Sequence, residues 1–568
     1  MAEIEAAPAL RLREQIDWLQ GAVMAALLVL LFVFILYPIM RVLWVALADE
    51  NGQLTLIHFR NFFFRPLFRE ALWNSLSNGL WVVLFGSLIG VPLAYVIARY
   101  EFRGKILLQT LATLPLAIPP FVGAVAFQQV LGRSGTVNLL LMRWFDASIP
   151  FVDGLAGVVL VQTLHYFPFI MLNTAVSLSN IDLSLEEMAE SMGCHGLRLF
   201  RRVTLPLMLP GFIAGSLLTF IRVIDDLGTP LMLNQKNLLA PQAYLRITTI
   251  GIDDVDGYVI CVVLVVLSLV SLLVARKYLS LAEYATVQGG GAIAKPIHGK
   301  KLTLVFLFSG LALALCLLPH IGILLLSFAK VWSFSVLPTA FTLDHYTEIF
   351  FRVPHFIRNT LLYTGLAAGF DVILGAAIAF LLLRSQLWGR NLLDALASLP
   401  LAIPGVVIAV GYIRVFHGWD FPGAGAPLTS TWFILVIVYA VRRLPYTVRA
   451  SYAALQQVHV SLEESAQNLG ANRLRTFFRV TMLFISGGLV AGGLIAFITS
   501  CVELSSTIML VPRIELGPIS YGIYVYMQSA LGRGAGAALG VVAILLVAVG
   551  TYLTHRLFGG RAGSAFRV

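Results

Sequence analysis

Residues 184–210 read SLEEMAESMGCHGLRLFRRVTLPLMLP, and 277 positions later residues 461–487 read SLEESAQNLGANRLRTFFRVTMLFISG. Both are polar or basic islands in a very apolar chain. In each, a serine stands three residues before a glutamate (Ser184 and Glu187, Ser461 and Glu464), the spacing at which hydroxyl and carboxylate cap a helix N-terminus reciprocally. Apolar or small residues follow at i, i+3, i+4 and i+7: Leu185, Met188, Ala189 and Met192 in one copy, Leu462, Ser465, Ala466 and Leu469 in the other. That period predicts a short helix with one apolar stripe. Gly193 and Gly470 are expected to end it in a left-handed turn. A basic helix should follow, with Arg198, Arg201 and Arg202 in the first copy and Arg473, Arg475 and Arg479 in the second.

Around the islands the chain is 59% hydrophobic and 12% charged, with a mean hydropathy of +0.87. A protein of 568 residues with that balance faces lipid, so its net charge of +10 bears on membrane sidedness rather than on nucleic acid. The four cysteines, Cys194, Cys261, Cys316 and Cys501, are far apart and imply neither a disulfide framework nor a metal pair. Apolar runs of spanning length, roughly 20 residues, lie near 21–48, 72–98, 107–131, 151–178, 207–233 and 257–275. Six more lie near 302–329, 357–383, 391–413, 429–450, 484–512 and 535–555. The first is too long for a signal-peptide core and reads as an uncleaved span. With the N-terminus in the cytoplasm, and counting Arg442, Arg443 and Arg449 on the inner side as well, 24 of 39 Lys and Arg fall inside, 14 outside, and Arg222 within a span. This bias puts both termini and both islands in the cytoplasm.

The repeat extends beyond the islands. LPLAIPPFVGAVAF from Leu114 recurs as LPLAIPGVVIAVGY from Leu399, and Asn74-Ser75-Leu76 as Asn359-Thr360-Leu361, both at an offset of 285. The offset falls to 277 at the islands, so the first half carries about eight extra residues around Gly132 to Pro150. Six spans per half make the halves parallel repeats about an axis along the membrane normal. The expected organisation is a cytoplasmic segment over 1–20, a first half over 21–283, a glycine-rich linker over 284–301, a second half over 302–558 and a tail over 559–568. Pro119 and Pro404 interrupt apolar helices, and such breaks survive in lipid only where protein or a water-filled cavity satisfies the freed backbone. They should therefore face the axis between the halves, as packing kinks or as part of a translocation route.

Charges within spans are costly and mark function by default. Arg222, Asp225 and Asp226 stand at i, i+3 and i+4, so the arginine is expected to neutralise a carboxylate of its own helix. In the other reading Asp226 opposes Glu503, its equivalent in the second half, on a route through the membrane, where oxygen ligands would suit a hard cation. His165 and Tyr166 are expected to pack and hydrogen-bond. Asp371 and Asp394 should be paired within the bundle or lie near a helix end. The chain has no Gly-x-x-x-x-Gly-Lys-Ser/Thr loop, so it is not itself an ATPase.

The islands resemble the cytoplasmic signature, called EAA, of ATP-binding-cassette importer permeases: Glu-Ala-Ala, three residues, Gly, nine residues, Ile or Val, one residue, Leu-Pro. Copy one matches at Glu187, Ala189, Gly193, Val203, Leu205 and Pro206, with Met188 for the first alanine. Copy two matches at Glu464, Ala466, Gly470 and Val480, and departs at Met482 and Leu483 where Leu-Pro would kink the chain. The resemblance implies an all-α polytopic membrane protein of the type I (MetI-like) permease fold, two six-helix repeats with about twelve transmembrane helices, in a bacterial cytoplasmic membrane. It implies two cassette ATPase subunits, each gripping one EAA loop, and a soluble binding protein outside. ATP would be hydrolysed on those partners, with no cofactor on this chain and no nucleic acid. A capped helix with one apolar stripe suits insertion into a partner's groove; lying on the lipid surface is the other use for such a helix. A fused chain of this size is most similar to ferric iron permeases, as in FQQVLGRSGTVNLL (Phe127 to Leu140) and DDLGTPLML (Asp225 to Leu233). Thiamine, phosphonate and polyamine permeases are alternatives. An ion-coupled secondary transporter is the rival of another class, and would leave two islands of common spacing unexplained.

Overall fold

The computed structural model describes residues 6–283, 295–297, 299–418, 420, 425–529 and 531–558. Most of the expected linker, and the tail with Arg561 and Arg567, lie outside the described residues. Every long described apolar run is helical, because lipid offers no partner for backbone N–H and C=O groups and a helix pairs them internally.

In the first half, spans α1 (Trp18–Leu47) and α2 (Pro66–Arg99) are followed by a broken third span, α3 (Lys105–Thr113) and α4 (Pro120–Leu131). Then come span α5 (Gly154–Ser179), island helix α6 (Leu183–Ser191), span α7 (Leu205–Asp225), short helix α8 (Gly228–Met232) and span α9 (Val255–Glu283). The second half repeats the order: α10 (Lys300–Phe328), α11 (His355–Arg384), the broken pair α12 (Arg390–Ser398) and α13 (Gly405–Phe416), and α14 (Phe433–Gln456). It continues through island helix α15 (Val460–Asn468), α16 (Met482–Cys501), short α17 (Thr507–Leu510) and α18 (Arg533–Phe558). The broken spans bend by 97° and 111° at their prolines.

Nine described helices are long and apolar enough to cross a membrane, or up to eleven with each bent pair taken as one span. The run expected near 429–450 is α14, of spanning length but carrying Arg442, Arg443 and Arg449. Here the charge count is corrected. Arg442 and Arg443 are 5% and 6% exposed and, like Arg449, stand within α14, so none of the three marks the inner side. Without these three the bias is 21 against 14.

Spans two, four and five of each half (α2, α5, α7 and α11, α14, α16) pack together, and small residues let their backbones close. A Cβ on Gly90 would stand 3.1 Å from the Phe167 carbonyl oxygen, and one on Gly375 3.0 Å from Thr447. The first span of each half crosses to the other half. Gly411 of α13 packs on Pro38 of α1, and Gly322 of α10 on Val130 and Ala126 of α4. The clasp is reciprocal, since Gly411 and Ala126 are repeat equivalents. The largest apolar cluster sits at this seam, with Phe121 and Ile224 from one half and Tyr439 and Leu504 from the other. The few described linker residues contribute a two-residue strand, Lys295–Pro296, parallel to Tyr100–Glu101 after α2.

Candidate coupling surface and inter-half latch

The islands form the expected helix and turn, but not the expected cap. Each helix starts two residues earlier than a serine cap would set it, so the capping groups are the side chains before it: Asp182 accepts from the Ser184 N–H at 2.9 Å, and His459 Nδ1 from the Ser461 N–H at 3.2 Å. Ser184 and Ser461 are thereby two positions too deep to act as the cap. Gly193 and Gly470 have φ of +82° and +90°, and Cys194 and Ala471 return hydrogen bonds to the carbonyls of Ala189 and Ala466. These are the left-handed helix ends that the sequence pattern predicts.

Which glutamate faces the protein is a finding that the pattern missed. Glu186 is buried, accepting from Arg99 Nη2 at 2.7 Å and Thr204 Oγ1 at 2.9 Å. Glu463 repeats this with Arg384 Nε at 3.2 Å and Thr481 Oγ1 at 3.3 Å. All three partners are repeat equivalents, and the recurrence of an arginine at the end of span two was the signal available. Each triangle ties an island to span two and to the start of span five. Glu187 and Glu464 of the EAA signature point outward and are exposed, as are Leu185, Met188, Met192, Leu462 and Leu469. Ala189 and Ala466 are half-buried beneath them. Two apolar, acid-rimmed helices thus lie open at one end of the bundle, each held from behind by an ion pair.

A Cβ at Gly193 or Gly470 would meet nothing within 4 Å, so backbone strain alone opposes substitution. Valine at either position is expected to cost about 1–2 kcal/mol and to reorient the basic segment that follows. The expected result is an inserted protein in which uptake falls while ATP hydrolysis by the assembled complex continues. Unchanged uptake per ATP in both single variants and the double variant would show that these turns transmit no force.

Deep in the bundle the seam is closed by charge. The helix ends at Asp225, and Asp226 is already extended (φ −73°, ψ 103°), which takes Asp226 off the face of Arg222, while the carboxylate of Asp225 is engaged by the other half. The expected local pairing is therefore corrected. Arg222 donates across the seam to the Tyr446 hydroxyl at 2.7 Å. Asp225 accepts from Arg442 Nη2 at 2.9 Å and from the Gly405 N–H at 2.7 Å, while Ser505 donates to its carbonyl at 3.2 Å. Arg442 also reaches Glu503 at 3.6 Å, and Arg443 holds Glu503 at 2.6 Å. From Gln456 at the island end of α14, Arg442 is about 21 Å along the helix.

Gly405 explains why the break after Pro404 faces the seam: the donor freed there is taken by a carboxylate of the other half. The equivalent position in the first half is Pro120, which has no N–H, and the equivalent of Asp225 is Val502, which accepts nothing. Donor and acceptor are present together on one side and absent together on the other. Pro119 lies at the same seam, where the next aromatic, Phe121, meets Gly228, and Gly228 meets Leu504.

Asp226 and Glu503 are not brought together around a shared site. Asp226 accepts from Gln162 at 2.9 Å and from the Thr229 N–H at 3.1 Å, and Glu503 accepts from the Ser506 N–H at 3.3 Å. Each thus caps the short helix after its own span five. Among the described residues no three His, Cys, Asp or Glu side chains are grouped to hold a metal. His165 packs edge-on against Tyr166, with ring centroids 4.6 Å apart. Asp394 pairs with Arg449 at 3.0 Å, whereas Asp371 is buried with neither oxygen hydrogen-bonded.

Comparison with known proteins bears on this arrangement. The ferric transport system permease protein FbpB of Actinobacillus pleuropneumoniae is 26% identical over 506 residues, 86% of this chain and 71% of that protein. A putative ferric transport system permease protein of Haemophilus influenzae is 25% identical, covering 86% and 78%. The molybdenum transport system permease protein ModB of the same organism is 32% identical, but over 36% of this chain and 91% of its own. The family model described as binding-protein-dependent transport system inner membrane component matches residues 86–280 and again 371–561. Each match contains one island, one proline break and one arm of the latch, and together they span most of the chain, which therefore belongs to this family of inner membrane permease components.

Proposed function

We propose that this permease carries ferric iron inward, received from a soluble binding protein and driven by two cassette ATPases that seat one island helix each. The observation that carries the cargo is the extent of similarity. Relatives named for ferric transport align along both fused halves, whereas the more identical molybdenum permease covers a single half. Buried Arg222, Arg442 and Arg443 would suit an oxyanion, but Tyr446, Asp225 and Glu503 already engage them. In this reading ATP stays on the partner subunits, and both termini and islands are cytoplasmic, in keeping with the Lys and Arg bias. ATP-driven closure of the ATPases draws the islands together, and the triangles at Glu186 and Glu463 pass that movement to spans two and five. The latch at Asp225 and Arg442 is the gate that must part for cargo to cross between the halves, past Pro119 and Pro404.

The test is ATP-dependent uptake by the complex of permease, ATPase and binding protein in proteoliposomes, offered ferric iron, thiamine, phosphonate, polyamine, sulfate or molybdate. Ferric uptake about tenfold or more above every other solute is expected, a difference of about 1.4 kcal/mol in selectivity. Preferred uptake of another member of the panel would replace iron as the cargo and leave the permease assignment standing.

A further inference from the structure

Asp371 has no role in the latch, yet it is wholly buried and neither carboxyl oxygen has a hydrogen-bond partner. Its surroundings identify its counterpart. Spans α11 and α14 run side by side in one direction: Tyr363 stacks on Trp432 near their starts, Gly375 meets Thr447 midway, and Arg384 donates to the Val458 carbonyl at 2.8 Å at their ends. One helical turn before Gly375 is Asp371, and one turn before Thr447 is Arg443. Residues four apart share a helix face, so the two stand at one level on facing sides. Arg443 is also the charged group whose field reaches Asp371. Here, however, its guanidinium is drawn to α16, onto Glu503 at 2.6 Å and the Thr499 carbonyl at 3.0 Å, and its Nε has no partner.

The internal repeat gives an independent argument. The equivalent of Asp371 is Gly86 and that of Arg443 is Tyr166, whereas Glu503 keeps a carboxylate, Asp226, in the first half. The first half therefore lacks both the arginine and the second carboxyl. A buried carboxyl without a partner only costs stability, so its presence solely opposite Arg443 calls for a state in which the two meet.

We propose that Asp371 is a positioning residue, the second seat of Arg443. In the conformation described above the guanidinium joins α14 to α16 through Glu503. In the other access state, which this proposal assigns to the nucleotide-trapped complex and the conformation above to the resting one, it joins α14 to α11 through Asp371, so the same permanent charge holds a different pair of spans in each state. A shift of packed helices between two discrete arrangements is enough to change seats.

This inference rests on the nucleotide-driven cycle proposed above and not on the cargo, so its test uses none. Spin labels at Arg103→Cys and Trp388→Cys, exposed and equivalent positions in the loops after span two of each half, report the separation of the halves in the complex with its ATPases. They are read without nucleotide and after trapping with ATP and vanadate. Asp371→Asn should lower the trapped-state population relative to the resting one about tenfold, and Glu503→Gln should raise it without nucleotide. A merely structural role would weaken both states and leave their ratio alone. A ratio within twofold of wild type in Asp371→Asn overturns the proposal. In the unmutated complex, a hydrophobic carbodiimide should label Asp371 at rest and lose most of that reaction in the trapped state. Equal labelling in both states also overturns it, whatever the fate of the variant. A wild-type complex whose label distance ignores nucleotide would overturn the coupling reading, and this seat with it.

Discussion

Replacing Arg442 by methionine is expected to lower the stability of the purified permease by about 3–5 kcal/mol, the range for removing one partner of a buried ion pair, and adding Asp225→Asn should recover most of that loss. Arg442 is 5% exposed and bridges Asp225 at 2.9 Å to Glu503 at 3.6 Å. Without it Glu503 keeps Arg443, but the Asp225 carboxylate loses its ion pair and keeps the hydrogen bond from the Gly405 N–H. Asparagine removes the charge and still offers Oδ1 to that N–H, so the double variant no longer leaves a carboxylate without its ion pair. Thermal unfolding in detergent or nanodiscs measures the difference. Equal destabilisation in the single and double variants would mean that the latch contributes packing and not charge compensation. Transport should respond in the opposite sense. The double variant folds but has lost one bond across the seam, so it should leak solute without ATP.

The second large effect is expected at the islands, where one of the two adjacent glutamates of each copy is buried and the other exposed. Glu186→Ala with Glu463→Ala removes the acceptor shared by Arg99 and Thr204 in one half and by Arg384 and Thr481 in the other. A hydrogen bond to a charged group contributes about 1.5–3 kcal/mol, so the docked position of each island should be depopulated by roughly tenfold to a hundredfold. Uptake per ATP hydrolysed should fall by a similar factor while the ATPases still copurify. The matching pair Glu187→Ala and Glu464→Ala alters exposed side chains and should instead reduce ATPase copurification, leaving the fold untouched. Identical behaviour of the two pairs would remove the distinction between a glutamate that ties the island down and one that meets the partner. The ratio of uptake to phosphate release, with ATPase recovery on an affinity column, measures both.

What the sequence determined by itself is local or periodic. The length of the apolar runs predicts helices because lipid leaves the backbone no other way to pair its polar groups. The duplicated islands and prolines establish two halves. Gly193 and Gly470 mark left-handed helix ends, because only glycine adopts that backbone without strain. Tertiary structure decided every question of partnership. Arg222, Asp225 and Asp226 have the spacing of a pair on one helix, yet the helix ends at Asp225 and the other half supplies Tyr446, Arg442 and the Gly405 N–H. Of Glu186 and Glu187, equal as text, only the first faces Arg99, because the helix begins at Leu183 and is rotated by its seat on the bundle. Arg442 and Arg443 interrupt an apolar run, and only tertiary packing supplies the carboxylates that let them be buried, Glu503 from a neighbouring span of the same half and Asp225 from the other half. In a bilayer an ion is tolerated where its counter-ion happens to be, and that depends on how distant helices pack, which no spacing along one chain segment encodes.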